Sequence, residues 1–275
     1  MILPIQIPEL RCYQNYAYPL AIIMHQPAFL PWFHGQFVQL YCRKQFNQPS
    51  WYGRPELRLN FYKYDGPSFF PQLQVISLNQ TFLDQQGISL NRLLSKSIAE
   101  GFYVVAHVNE YYIPNRRAYQ DYHRPHDFFI YGFDDTSQEF HTLGYNHHGL
   151  FETLPVPMKL VDEGITSYVR FGRPASIYLI KPNVIDAFPF QLSVLVSQLM
   201  DYLQGTNVSR NFAQLHPVLD AAYGIEVYPY IEAFLDCVMQ NEMRVDHRNF
   251  RLLWEHKYAL LLKVAYLSIS VPESH

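Results

Sequence analysis

The stretch HDFFIYGFDD at residues 126–135 decides how the chain is read. Residues Asp127 to Phe133 form an aromatic-rich strand, and Asp134-Asp135-Thr136-Ser137 supplies a hairpin signal. Residues Glu139 to Tyr145 then return as a second strand. His126 follows Pro125 and opens the first one. The end of a strand, at a loop, is where a scaffold holds an imidazole rigidly yet leaves it accessible.

Upstream, Leu90 to Glu100 reads as a helix stopped by Gly101, with Leu93, Leu94 and Ile98 inward. Phe102 to Val108 is a buried strand, broken by Ile113-Pro114-Asn115, and Ala118 to Tyr122 forms one helical turn. Farther back, Cys12 to Met24 and Pro31 to Phe46 read as helices. Pro19 kinks the first near Asn15. Residues 47–90 read as loops and short strands. Downstream, Lys159 to Val169 is helical and Ser176 to Lys181 is a strand. From Pro189 the texture turns helical: Phe190–Gln204, Asn211–Tyr223, Tyr230–Gln240, and a last helix from the N-cap Asp246 to Ser268. The expected class is α+β, with a domain over 1–185 and a helical subdomain over 186–275.

Apolar residues make up 49% of the 275 residues and charged ones 16%, enough to build a core and to exclude disorder. The net charge of −3 and the short Arg116-Arg117 pair point away from nucleic acid. Cys12, Cys42 and Cys237 form no paired framework, and Cys42 and Cys237 read as core residues on helix faces. The first ten residues lack the pattern of a signal peptide, and no run is apolar enough to span a bilayer. A cytoplasmic protein without membrane partners is the expectation. His123, His126, His141, His147 and His148 invite a metal reading, with two residues between His123 and His126 and the His147-His148 pair after the hairpin, but no Cys pair or His-Glu-x-x-His motif accompanies them, so neither metal nor cofactor is expected.

A thiol nucleophile needs a lowered pKa, a base and donors for the developing oxyanion. Cys12 stands at the start of the first expected helix, where unpaired N–H groups favour thiolate over the free thiol's pKa of about 8.5. Gln6, six residues earlier, offers an amide that could join the Cys12 N–H as an oxyanion hole. The bland reading of Cys12 is an ordinary buried thiol. His126 is the candidate base. Asp127 points to the opposite face of the strand, and Asp134 lies roughly 26 Å along it. The hairpin register instead puts Asn146 opposite His126 as the third member, though a one-residue slip reverses every face.

Gln6 and Cys12, a nucleophile helix, and a strand that opens on His126 with Gly132 six later resemble the papain-like cysteine peptidase superfamily. The helix, Gly101 and strand over Leu90–Val108 are similar to its bacteriocin-processing branch. Cys12-Tyr-Gln-Asn, Ile113-Pro-Asn, the His126 strand, and Asp246-His-Arg through Trp254-Glu-His-Lys resemble, more narrowly, the butirosin-biosynthesis H-type acyltransferases of nonribosomal-peptide clusters. The resemblance implies a papain-like core with an antiparallel sheet. It also implies transfer of an acyl group from a carrier-protein thioester through Cys12 to a small-molecule amine. His126 is then base and acid, and Gln6 the oxyanion donor. Relatives tend to carry Asp near the position of Gly144. Either Asn146 serves here, or a dyad works, or activity is reduced.

Two other classes stand beside this one. A cysteine peptidase or thioester hydrolase shares the first half-reaction, with water as acceptor. A non-catalytic binding protein would keep only the fold.

Overall fold

A computed structural model describes residues 1–49, 55–62, 66–183, 188–208 and 220–270. The chain forms two compact units. The first comprises residues 1–27 and 64–186, the second residues 28–63 and 187–275. One crossing between the units follows residue 186. The 1–185 domain expected from sequence differs in one piece, because residues 28–63 pack with the C-terminal unit.

The first unit holds helix α1 (Gln14–Ile23), strand β1 (Leu73–Asn79), α2 (Gln80–Gln85), α3 (Leu90–Ala99) and β2 (Tyr103–Asn109). The hairpin β3 (Pro125–Asp134) and β4 (Glu139–Tyr145) follows, then β5 (Phe151–Pro157), α4 (Met158–Thr166) and β6 (Ser176–Pro182). The six strands form one antiparallel sheet in the order β1-β6-β2-β3-β4-β5. The fold is α+β, as expected. At the hairpin, Asp134 Oδ1 accepts from the Thr136 amide at 2.8 Å, closing the turn that the sequence signalled. A register shift lies between Ile130 and Gly132 on β3, where Ile2 bridges to Gly132. A Cβ on Gly132 would stand 2.8 Å from the Met1 carbonyl, which explains the glycine.

Strand alternation assigns the faces of this sheet. Val105 and His107 on β2 are opposite Phe129 and Asp127 on β3, and Tyr178 on β6 is opposite Val105, so all five share one face. Helix α1 covers that face: the Tyr18 ring stacks on Phe129 at 5.1 Å, and its hydroxyl donates to the Asp127 carbonyl at 3.4 Å. The opposite face carries Val108 and its partner His126. Helix α4 covers it there; a Cβ on Gly164 would meet Val108 Cβ at 3.6 Å.

In the second unit, Leu40–Arg43 lies between Asn60–Phe61 and Ala221–Tyr223 in a three-stranded antiparallel sheet. Helices Leu192–Gln204, Tyr228–Met239 and His247–Ser270 complete it. Asp246 caps the last helix, its carboxylate accepting from the Arg248 amide at 3.0 Å. The helix expected over Pro31–Phe46 is shorter. It runs over Leu30–His34, stops at Gly35, and gives way to the strand Leu40–Arg43 after Phe37 at positive φ. Cys42 therefore sits buried on a strand, where burial pushes its thiol up to about 12. The expected helix Asn211–Tyr223 falls mainly outside the described residues, and its end is the strand Ala221–Tyr223.

Candidate functional site

Cys12 precedes α1 rather than starting it. Tyr13 is the extended N-cap, and its carbonyl accepts from the Ala17 amide at 3.0 Å. The thiol thus lies one residue outside the cap, and it is 6% exposed. Its neighbourhood belongs to the α1 face. The Tyr145 hydroxyl donates to the Arg11 carbonyl at 2.7 Å, and Tyr145 follows by two Leu143, the partner of Phe129.

His126 is on the other side of the sheet. Its Nδ1 stands 3.3 Å from Glu110 Oε1 and 3.3 Å from the Asp127 carbonyl oxygen. Glu110 follows the last residue of β2, is buried, and also accepts from Arg124 at 3.1 Å. Burial holds the His126 imidazole below its ordinary value, and Glu110 opposes that shift. The sequence expectation paired Cys12 with His126; the register sets the His126 side chain on the face away from α1. A side chain at an even position of β3 cannot face a helix packed on the odd ones.

Asn146 is a turn residue. Its Oδ1 accepts from the His148 amide at 2.8 Å and the Leu150 amide at 3.0 Å, and its Nδ2 donates to Glu152 Oε1 at 2.5 Å. These bonds hold the β4–β5 connection. The carboxylate on His126 is Glu110 instead, readable in the sequence only as the acidic residue just past a buried strand. Gln6 is exposed, and its backbone N–H donates to the Ala21 carbonyl at 3.0 Å. Ala21 is eight residues beyond the N-cap, roughly 12 Å along the axis at 1.5 Å per residue, so the Gln6 backbone lies toward the far end of α1.

The α1 face has its own imidazole–carboxylate pair, which sequence reasoning missed. His107 and Asp127 are directly opposed across β2 and β3, with Nε2 3.5 Å from Oδ1. The Ser176 amide donates to Nδ1 at 3.3 Å, so the neutral ring carries its proton on Nε2, toward Asp127. Tyr168 stacks on the ring at 5.2 Å. Burial lowers the pKa of His107, with Asp127 opposing and Arg173 adding to the shift. The available signal was the alternation of VVAHVN on β2, which carries His107 on the same side as Val105.

A cavity of about 330 Å³ adjoins this pair, lined among others by Gln14, Asn15 and Tyr18 of α1 and by His107, Asp127 and Tyr178 of the sheet. Cys12 precedes Asn15 by three residues and Pro19, also in the lining, by seven. Among the described residues no cluster of three or more metal-ligating side chains occurs, and no helix is long and apolar enough to cross a membrane. No protein-family model and no curated protein matches this chain.

Proposed function

We propose that the chain is a thiol-dependent acyltransferase working on the α1 face of the sheet, with Cys12 as nucleophile, His107 as base and Asp127 as the carboxylate behind it. The observation that carries the reading is the cross-strand His107–Asp127 pair, which shares a face and a cavity wall with the first turns of the helix that follows Cys12. The likeness of the Cys12 and Asp246–Lys257 segments to carrier-protein-dependent acyltransferases supports the reaction class.

In the first half-reaction the Cys12 sulfur attacks the carbonyl of a carrier-protein thioester while its proton passes to His107 Nδ1, which gives up its hydrogen bond from the Ser176 amide to receive it. The tetrahedral intermediate collapses, and the carrier thiol leaves with that proton. In the second, an amine attacks the acyl-enzyme, His107 takes the amine proton, and the Cys12 thiol is released as the amide forms. Asp127 holds the ring through Nε2 and stabilises the imidazolium in both steps.

Intact-mass measurement of the protein after exposure to acylated carrier protein or a small thioester tests the proposal. The expected result is one acyl adduct, absent in Cys12→Ala and removed by an amine. Loss of the adduct in buffer at the same rate would assign a hydrolase. A second reading, a binding protein without chemistry, is favoured by the burial of Cys12; no adduct from any thioester would support it.

A further inference from the structure

The cavity on the α1 face has an uneven chemistry. Asp127 is its only acidic lining residue, and no lysine or arginine lines it among the described residues. Oδ1 of Asp127 faces His107; Oδ2 makes no hydrogen bond or ion pair with the described residues. Gln14 also lines the cavity; it is 7% exposed, and its side-chain oxygen is buried without a hydrogen-bond partner. A buried amide oxygen left unpaired costs about 1–3 kcal/mol, so the site has a standing demand for a donor. The rest of the wall is mostly apolar and aromatic, with Pro19, Pro67, Phe69, Val105 and Tyr178 beside the polar Asn15 and Ser68. The volume of about 330 Å³ is at the small end of ligand pockets, equal to about eleven waters.

We infer that this cavity binds a small primary monoammonium compound with a flat apolar body, the ammonium donating to Asp127 and to the Gln14 side-chain oxygen. Two acceptors in a cavity that no described lysine or arginine lines select a positively charged donor over a hydroxyl, and the aromatic wall favours a ring or short chain. The inference rests on the proposed acyl transfer only in naming this compound as the acceptor; the binding itself stands without it.

Calorimetric titration of the full chain with 2-phenylethylamine and with the isosteric neutral 2-phenylethanol tests the inference. The amine is expected to bind at least tenfold more tightly than the alcohol, with an affinity that falls as salt rises. Asp127→Asn should remove that preference, and Gln14→Leu should weaken amine binding severalfold. Cys12→Ala should bind the amine as the unaltered chain does. Equal binding of amine and alcohol, or no binding of the amine, would overturn the inference, and the unaltered chain alone decides this if Asp127→Asn does not fold. Amine binding in a protein that no thioester acylates would leave this site standing and remove the acyltransferase reading; acylation without amine binding would do the reverse.

Discussion

His107 and His126 are on adjacent strands one register step apart, and that single step gives them opposite surroundings. His107 has a carboxylate from the neighbouring strand and a cavity; His126 has Glu110 and the underside of α4. Burial is the first cause of lowered pKa in both rings. For a base whose folded value is depressed, the unfolded chain binds the proton more readily, so stability falls as pH drops through the unfolded value of about 6.5 and below. Urea midpoints should therefore be lower at pH 5 than at pH 7.5. The double variant His107→Gln/His126→Gln should show a smaller drop, and an unchanged pH dependence would contradict the burial of the two neutral rings.

At the level of elements, α1 is held to the sheet by aromatic packing. Tyr18 stacks on Phe129 at 5.1 Å, and Tyr103 stacks on the same ring at 6.0 Å. Phe129→Ala removes the shared ring and should cost about 3–5 kcal/mol in chemical denaturation; a cost below 1 kcal/mol would show that α1 docks by other means. Beside this, Arg116 is buried and donates to the Tyr145 carbonyl, and a Cβ on Gly144 would collide with its guanidinium. Gly144→Ala should destabilise the C-terminal end of β4 by about 1–3 kcal/mol, read as a lowered melting temperature. Elements with strong local signals were legible from sequence: the 126–145 hairpin, the helix ended by Gly101, and the capped last helix. The face of the sheet that α1 occupies was not, because period-two alternation fixes which residues lie together without saying which helix covers them. His126 drew attention as the residue that opens the strand, while His107, inside an apolar run, read as core. Only the tertiary packing of Tyr18 on Phe129 separates the two.

At the scale of the whole chain, the two units differ in what they report. The two described tryptophans, Trp32 and Trp254, belong to the unit of residues 28–63 and 187–275, so their indole fluorescence reports on that unit. Its last helix buries Lys263, whose ammonium donates to the Ala259 carbonyl at 3.2 Å and is pushed down to about 7 by burial. The unfolded chain holds that proton up to about pH 10.5, so stability declines as pH falls from there to about 7 and levels off below. Lys263→Met should raise the fluorescence-detected urea midpoint at pH 7, by a free energy on the order of a few kcal/mol, and remove the slope between pH 7 and 10. No gain at pH 7 would mean that the lysine stays charged inside the fold. The central claim, that chemistry belongs to the α1 face, is tested most directly by the rate at which a small thioester acylates Cys12 in His107→Gln and in His126→Gln. The account predicts a loss of at least a hundredfold in His107→Gln and less than about threefold in His126→Gln. The reverse order, with His126→Gln inactive and His107→Gln unimpaired, would contradict it.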